Sequence, residues 1–317
     1  MANVTTTPAK KHKDGYWYKL FKSLNRTKYL QLLLLPGLIY YVVFHFAPMY
    51  GVIIAFKDYK IRAGILGSPW VGFKYFQEFF DYMYFGRLVR NTVLLNLYEL
   101  VFGFPMPIIF AILLNEVRNL KYKKFIQTVS YLPHFISTVS IVGMLMMLLS
   151  PGNGIVNVII KAFGGESIYF MTEVEWFRPI YILSGVWQNL GWDAIIYIAA
   201  LASVNQELYE AAVIDGATRL KQIWHVSLPG IRSTIVIMLI MKMGGMMSSN
   251  TDKALLMQNE LTYEVSDIIG TYVFRRGIQK AEYSYSTAVG LFNSVINVFF
   301  IVTANTISKR LGESSLW

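Results

Sequence analysis

The 317-residue sequence has no cysteine. That excludes disulfides, thiolate metal sites and cysteine nucleophiles, and says little about compartment. Charge is also scarce. Asp, Glu, Lys and Arg make up 15% of the residues, where a soluble domain carries about 25%. No Gly-x-x-x-x-Gly-Lys-Ser/Thr phosphate loop occurs, so the chain itself is not expected to hydrolyse ATP. The four histidines form no His-Glu-x-x-His metal pattern. There is no nucleophile elbow either, and neither catalytic nor metal-binding residues are expected. No internal repeat is visible, which weighs against the repeat-built secondary transporters.

What remains is apolar. Hydrophobic residues make up 55% of the chain and the mean hydropathy is +0.42, so the composition reads as that of a membrane protein. A spanning helix needs about 20 mostly apolar residues. Six stretches qualify: Leu30–Phe56, Thr92–Asn115, Phe125–Leu149, Pro179–Ser203, Ile231–Met247 and Ala288–Ile307. The fifth is short and contains Lys242. The expected fold is an all-α membrane protein with six transmembrane helices. A basic segment, 1–29, comes first, a helical domain fills 30–310, and 311–317 form a tail. Leu30–Phe56 is too long for a cleaved signal segment and reads as a retained signal anchor.

The net charge of +10 invites nucleic acid as a partner, but the basic residues flank apolar spans and leave no face free of membrane. They orient the chain instead. Arg118, Lys121, Lys123 and Lys124 crowd one short turn, whereas Glu166, Glu173 and Glu175 share a longer loop. Both termini are therefore expected in the cytoplasm. Gly103, Pro105, Pro107 and Pro133 are expected to kink spans two and three. Phe73–Phe85 is expected to be an amphipathic helix at the interface.

The segment between spans four and five, 204–230, is the most informative. Asn205 is a good helix N-cap, followed by Glu207 in the first turn, where it suits the helix dipole. Gly216 can take the left-handed conformation that closes a helix. A second short helix is expected from Ala217 to Val226, with Ser227 and Pro229 as cap and first turn of span five.

The spacing Glu210-Ala211-Ala212, Gly216, then Val226-Ser227-Leu228-Pro229 resembles the EAA motif of permeases in type I ATP-binding-cassette importers, with Val226 where that family usually has Ile. The resemblance implies a coupling helix seated in a partner ATPase, and gives Glu210, Ala211, Ala212, Asp215, Gly216, Ala217, Leu228 and Pro229 that role. Further segments, among them Met49–Tyr59, Arg90-Asn91-Thr92, Tyr131–Ser137 and Tyr263–Ile269, resemble polysaccharide-type sugar permeases of the lipoprotein permease B group, which is similar to the maltose-type permeases. The resemblance covers nearly the whole chain. It implies a subunit in a bacterial cytoplasmic (inner) membrane that translocates an oligosaccharide. It also implies four kinds of partner: a second homologous permease, two ATPase subunits that bind ATP and Mg, an extracytoplasmic solute-binding protein, and the sugar. No cofactor is expected in this chain.

Sugars are held by aromatic stacking and planar polar side chains. Two places offer both at membrane depth: Trp187, Gln188, Asn189, Trp192, Asp193 and Tyr197 in span four, and Ser248, Ser249 and Asn250 at the end of span five, with Asp252 and Lys253 beyond. The same residues suit helix–helix hydrogen bonding equally. Glu99, Asp193 and Lys242 are ionisable groups within spans, where a charge costs about 2.5–3.5 kcal/mol on insertion scales. Asp193 and Lys242 lie on adjacent spans and are expected to pair. The alternative is that Lys242, with Arg275 and Arg276, meets an acidic, uronate-containing sugar. Two other functions remain open on the residues alone: a permease of the same class for a non-sugar solute, and a secondary transporter.

Overall fold

A computed structural model describes residues 27–312 and 314–317. The basic segment expected over 1–29 lies almost wholly outside the described residues. By internal contacts the chain divides into two units, one ending at Ile53 and one spanning Ile54–Trp317.

Helix α1, Lys28–Phe56, supplies the described part of the first unit. It is apolar on every side, tolerates Pro36 within it, and has no buried residue through Met49. Water would penalise such a surface by roughly 25 cal/mol for each Å² of apolar area. A lipid environment removes that penalty, so uniform apolarity marks a membrane-facing helix.

The second unit contains α2 (Lys74–Phe80), α3 (Phe85–Asn115), α4 (Leu120–Phe135), α5 (Thr138–Leu148), α6 (Ile155–Ala162) and α7 (Val174–Ala202). It continues through α8 (Gln206–Ile214), α9 (Arg219–Gly230), α10 (Arg232–Met243), α11 (Thr251–Met257), α12 (Ile269–Phe274) and α13 (Tyr283–Arg310). Among the described residues there is no strand, only a single bridge between Lys57 and Trp70. Within the expected Phe73–Phe85 stretch, only α2 is a separate helix. Its Phe79 is buried against Leu88, Tyr272 and Val289.

Three helices, α1, α3 and α13, are long and apolar enough to cross a membrane unaided. Two bent pairs could each make another crossing: α4 with α5, and α9 with α10. Helix α7 has 29 residues, about 43 Å at 1.5 Å per residue, but its polar residues dilute its apolarity. Among the described residues, length and apolarity alone thus give three crossings, or five with the bent pairs, and not the expected six.

The expected span Phe125–Leu149 is not one kinked helix. It breaks by 98° between α4 and α5. Pro133 has no N–H to continue the ladder, and the chain tightens into a 3₁₀ turn over Leu132–Phe135. Ile136 and Ser137 are extended, and the Ser137 hydroxyl caps α5 by accepting from Ser140 N. The corner is held by α7. Gln188 Nε2 donates to Ile136 O at 3.1 Å, Asn189 Oδ1 meets His134 Nδ1 at 3.0 Å, and Trp192 stacks on the His134 ring, 4.4 Å away and within 2° of parallel. Gly191 lets α7 approach, because a Cβ there would collide with the backbone of Ser130.

In span two the irregularity comes earlier than the prolines. Glu99–Gly103 form a π turn, and Pro105 and Pro107 follow as the first residues of a regular helical run. That run packs on the far half of α7 through Ile108, Ala111 and Ile112 against Ala194, Tyr197 and Leu201. The near half of α7, through Phe177, Tyr181 and Ile182, packs on Leu95, Ala254 and Met257.

Candidate functional site

Between the two packed halves of α7 lies a cavity of about 320 Å³. Its walls come from the π turn of α3, from α7, from α10 and from the start of α11. Gln188, Asn189, Asp193 and Tyr197 line it from α7, Lys242 and Met238 from α10, and Asn250 and Lys253 from the segment that opens α11. Six of the eleven residues singled out for a substrate path therefore meet in one cavity: Gln188, Asn189, Asp193, Tyr197, Lys242 and Asn250.

The other five lie elsewhere. Trp187 is half exposed and does not line the cavity. Trp192 covers His134. Ser248 Oγ accepts from Asn297 Nδ2 at 2.9 Å, and Ser249 Oγ accepts from Asn96 Nδ2 at 2.6 Å, so both serve helix packing. Asp252 is exposed in the first turn of α11 and does not line the cavity.

The charges in the cavity differ from the expected arrangement. Lys242 Nζ donates to Glu99 Oε1 at 2.5 Å, so its partner is Glu99 and not Asp193. Glu99 is the first residue of the π turn of α3. Asp193 lines the same cavity without that bond. Lys253 is buried, donates to Tyr181 O at 2.7 Å and holds its ammonium 4.9 Å from the Tyr181 ring centroid. Tyr181 in turn donates through its hydroxyl to Asn250 O at 3.2 Å. The cavity thus contains two carboxylates and two ammonium groups.

Arg275 and Arg276 are committed to neighbours. One Arg275 nitrogen, Nη2, bonds both oxygens of Asp267 at 2.7 and 2.8 Å. Arg276 pairs with Glu78 at 3.3 Å and with Glu282. As these ion pairs stand, neither arginine supports an acidic sugar.

The loop between α7 and α10 has the expected first helix. Asn205 accepts from Glu207 N through its side chain and caps α8. Gly216, at φ 72°, ends α8, and Ala217 N donates back to Ala212 O at 2.8 Å, as helices ending at a left-handed glycine do. The second helix departs from expectation. It starts at Arg219 and runs through to Gly230, so Ser227 is inside a π turn and caps nothing. Ser227 instead bonds the Tyr209 hydroxyl at 2.9 Å, which joins α8 to α9. Pro229 belongs to the last turn of α9, and the 61° bend into α10 comes after it. Glu210, Ala211, Asp215, Gly216 and Pro229 are exposed, and Ala212, Ala217 and Leu228 half-buried. Around them Leu208, Val213, Ile214, Leu220 and Trp224 are exposed as well.

With this geometry in place, comparison with known proteins is decisive about family. Residues 79–313 match the family described as binding-protein-dependent transport system inner membrane component. The chain belongs to that family. Among curated members, Protein LplB of Bacillus subtilis is 46% identical over 295 residues, covering 93% of each chain. The polygalacturonan/rhamnogalacturonan transport system permease protein YteP of the same organism is 44% identical over 299 residues, covering 94% of this chain and 93% of its own. Two solved structures share the fold closely. One is a bacterial ABC transporter involved in the import of the acidic polysaccharide alginate, with TM-score 0.85 and 41% identity over 92% of this chain and 99% of that one. The other is an alginate ABC transporter in complex with a periplasmic protein bound to an alginate pentasaccharide, with TM-score 0.86 and 40% identity over 94% of this chain and 100% of that one. Membership makes this chain an inner-membrane permease component with several crossings, and the expected resemblance to sugar permeases of the lipoprotein permease B group holds.

Sequence reasoning named Lys253 beside Asp252 without foreseeing its burial, overlooked Tyr181, and did not bring Glu99 into the cavity. Glu99 did carry a signal, as an ionisable group inside a span. The burial of Lys253 carried none, because it depends on how α11 packs against α7.

Proposed function

We propose that this chain is a pore-forming subunit of an ATP-driven importer for oligosaccharides that carry uronate groups. The observation that carries the reading is the cavity at the centre of α7, where Lys242 and Lys253 lie among Gln188, Asn189, Asn250 and Tyr197. Planar amides and a phenol suit sugar hydroxyls, and ammonium groups suit carboxylates. YteP is named for polygalacturonan and rhamnogalacturonan and the solved transporters for alginate, acidic polysaccharides all, which supports the same class here.

In this reading α1, α3, α4 with α5, α7, α10 and α13 make six crossings of a membrane domain over 30–310, and α9 leads into α10 from the loop before it. Both termini are cytoplasmic. The loop 204–230 faces the same side and seats α8 in a partner ATPase, which binds ATP and Mg. Glu210, Ala211, Ala212, Asp215, Gly216, Ala217, Leu228 and Pro229 make or shape that contact. A second homologous permease completes the pore, a second ATPase completes the motor, and an extracytoplasmic binding protein delivers the sugar. Closure of the ATPase pair moves α8, and Tyr209 with Ser227 passes the motion to α9 and α10.

The test is ATP hydrolysis by the whole complex in liposomes, with its binding protein, challenged by galacturonate and alginate oligosaccharides and by neutral maltotriose. Stimulation by the acidic oligosaccharides supports the reading. Stimulation by none of them, with an ATPase bound, would remove the sugar assignment while leaving the coupling loop.

A further inference from the structure

Lys242 and Glu99 face each other across the cavity wall at 2.5 Å. They are not sealed away: their side chains are 41% and 37% exposed. They therefore differ from Lys253, which is 3% exposed and fixed to a main-chain oxygen. The cavity thus has one anchored cation and one accessible cation, and the accessible one is already held by a carboxylate of the chain itself.

We infer that Glu99 is a resident stand-in for the substrate carboxylate, and that Lys242 exchanges Glu99 for a uronate as the sugar enters. This rests on the oligosaccharide reading above and adds to it the residue pair that sets acid-against-neutral selectivity. An ammonium at membrane depth pairs with an opposite charge or with backbone carbonyls, and Lys242 takes the first course where Lys253 takes the second. Glu99 supplies that charge while the cavity is empty. An incoming carboxylate can replace Glu99 at Lys242 because one charge-assisted hydrogen bond is exchanged for another of the same kind, and the displaced Glu99, 37% exposed, is not buried by losing it. A neutral hydroxyl is a weaker acceptor and leaves Lys242 with Glu99. Selectivity then comes from competition between two carboxylates and not from shape alone.

The two residues also sit on elements placed to part. Glu99 opens the π turn of α3. Lys242 lies on α10, which continues from α9 through the 61° bend. Motion passed along α9 and α10 would change the separation of the pair, so exchange of partners and the transport cycle share one moving helix.

The test uses the complete complex in liposomes and four probes: a galacturonate trimer, an alginate trimer, and the methyl ester of each. Esterification removes the charge and keeps the ring. The readout is the half-saturating concentration for stimulation of ATP hydrolysis, taken as the acid-to-ester ratio. Lys242→Gln is expected to weaken the acids by about tenfold, as loss of one charge-assisted hydrogen bond does, and to leave the esters unchanged. Glu99→Gln removes the competitor and is expected to strengthen the acids several-fold, again without effect on the esters. Poor folding cannot mimic that gain, so Glu99→Gln carries the test if Lys242→Gln fails to assemble. Equal effects on acids and esters in either variant would make the pair a structural bridge and overturn the inference. If the wild type responds to acids and esters alike, the inference fails and the oligosaccharide reading stands. If it responds to no saccharide, both fall.

Discussion

Lys253 donates to the main-chain oxygen of Tyr181 at 2.7 Å and lies against that residue's own ring. A buried side chain of α11 is thus pinned to α7, beside the cavity that α7 lines. Helices α7 and α11 meet there through a cation as well as through the Ala254 and Met257 contacts.

The first prediction concerns that cation. Lys253→Met has similar volume and no charge, and replacing a buried charge by a packed apolar group is often near neutral. Lys253→Glu instead sets a carboxylate against a carbonyl oxygen and strands a buried charge, which costs about 3–5 kcal/mol. Thermal unfolding of the detergent-purified complex is expected to show a small shift for Met and a large loss for Glu. Equal losses would mean that the ammonium itself, and not its volume, holds α11 in place.

A second prediction concerns the corner between α4 and α5. Gln188→Leu keeps the volume near constant but leaves Ile136 O without its donor. An unsatisfied buried acceptor costs about 1–3 kcal/mol, and Ile136 is half-buried, so the lower end applies. Gln188→Leu is expected to lower the unfolding temperature, and Trp187→Leu on the neighbouring, half-exposed position is expected to leave it unchanged. Hydrogen exchange of residues 134–140 would show whether the loss is local to the corner.

These two sites also separate what the sequence discloses from what it withholds. Local chemistry was legible. The Asn205 cap, the Gly216 turn and the apolar runs of α1, α3 and α13 follow from short-range rules, and the loop motif pointed to the family. The break at Ile136 was only half legible. Pro133 signals a kink, but a 98° corner needs Gln188, Asn189 and Trp192, more than fifty residues away, to satisfy it. Lys242 was paired with Asp193 because their spans are consecutive. The π turn at Glu99 offers a nearer carboxylate, and nothing in the local sequence announces that turn. Both tryptophans of span four suggested stacking platforms for a sugar, yet one turns away from the cavity and the other is spent on His134. For Lys253, burial follows entirely from tertiary packing.

A third prediction tests the hinge between α8 and α9. Gly216 has φ 72°, and a Cβ there meets nothing within 4 Å, so the penalty for a side chain is conformational and not steric crowding. The left-handed conformation costs an ordinary residue roughly 1–2 kcal/mol, and Asn tolerates it best. Gly216→Val is expected to lower sugar-stimulated ATP hydrolysis strongly while sugar binding by the reconstituted complex is kept. Gly216→Asn is expected to remain close to wild type. If Val and Asn behave alike, the angle between the two short helices does not matter for coupling.

The last prediction separates docking from stability. Glu210 and Ala211 are exposed on α8, and neither side chain makes a hydrogen bond or ion pair among the described residues. Substitutions at such positions change stability by about 0.5 kcal/mol or less. Ala211→Arg is nevertheless expected to abolish co-purification of the ATPase, since a long charged side chain cannot enter a close-packed apolar contact without desolvation. Glu210→Arg is expected to do the same if a basic residue of the ATPase receives Glu210, and a compensating acidic substitution in the ATPase should then restore binding. The measurement is ATPase retained per permease after mild detergent extraction, read beside the unfolding temperature. Loss of the ATPase with an unchanged unfolding temperature places the contact on this face of α8. An ATPase retained in full by Ala211→Arg would mean that the exposed apolar residues Leu208, Val213 and Ile214 serve some other partner.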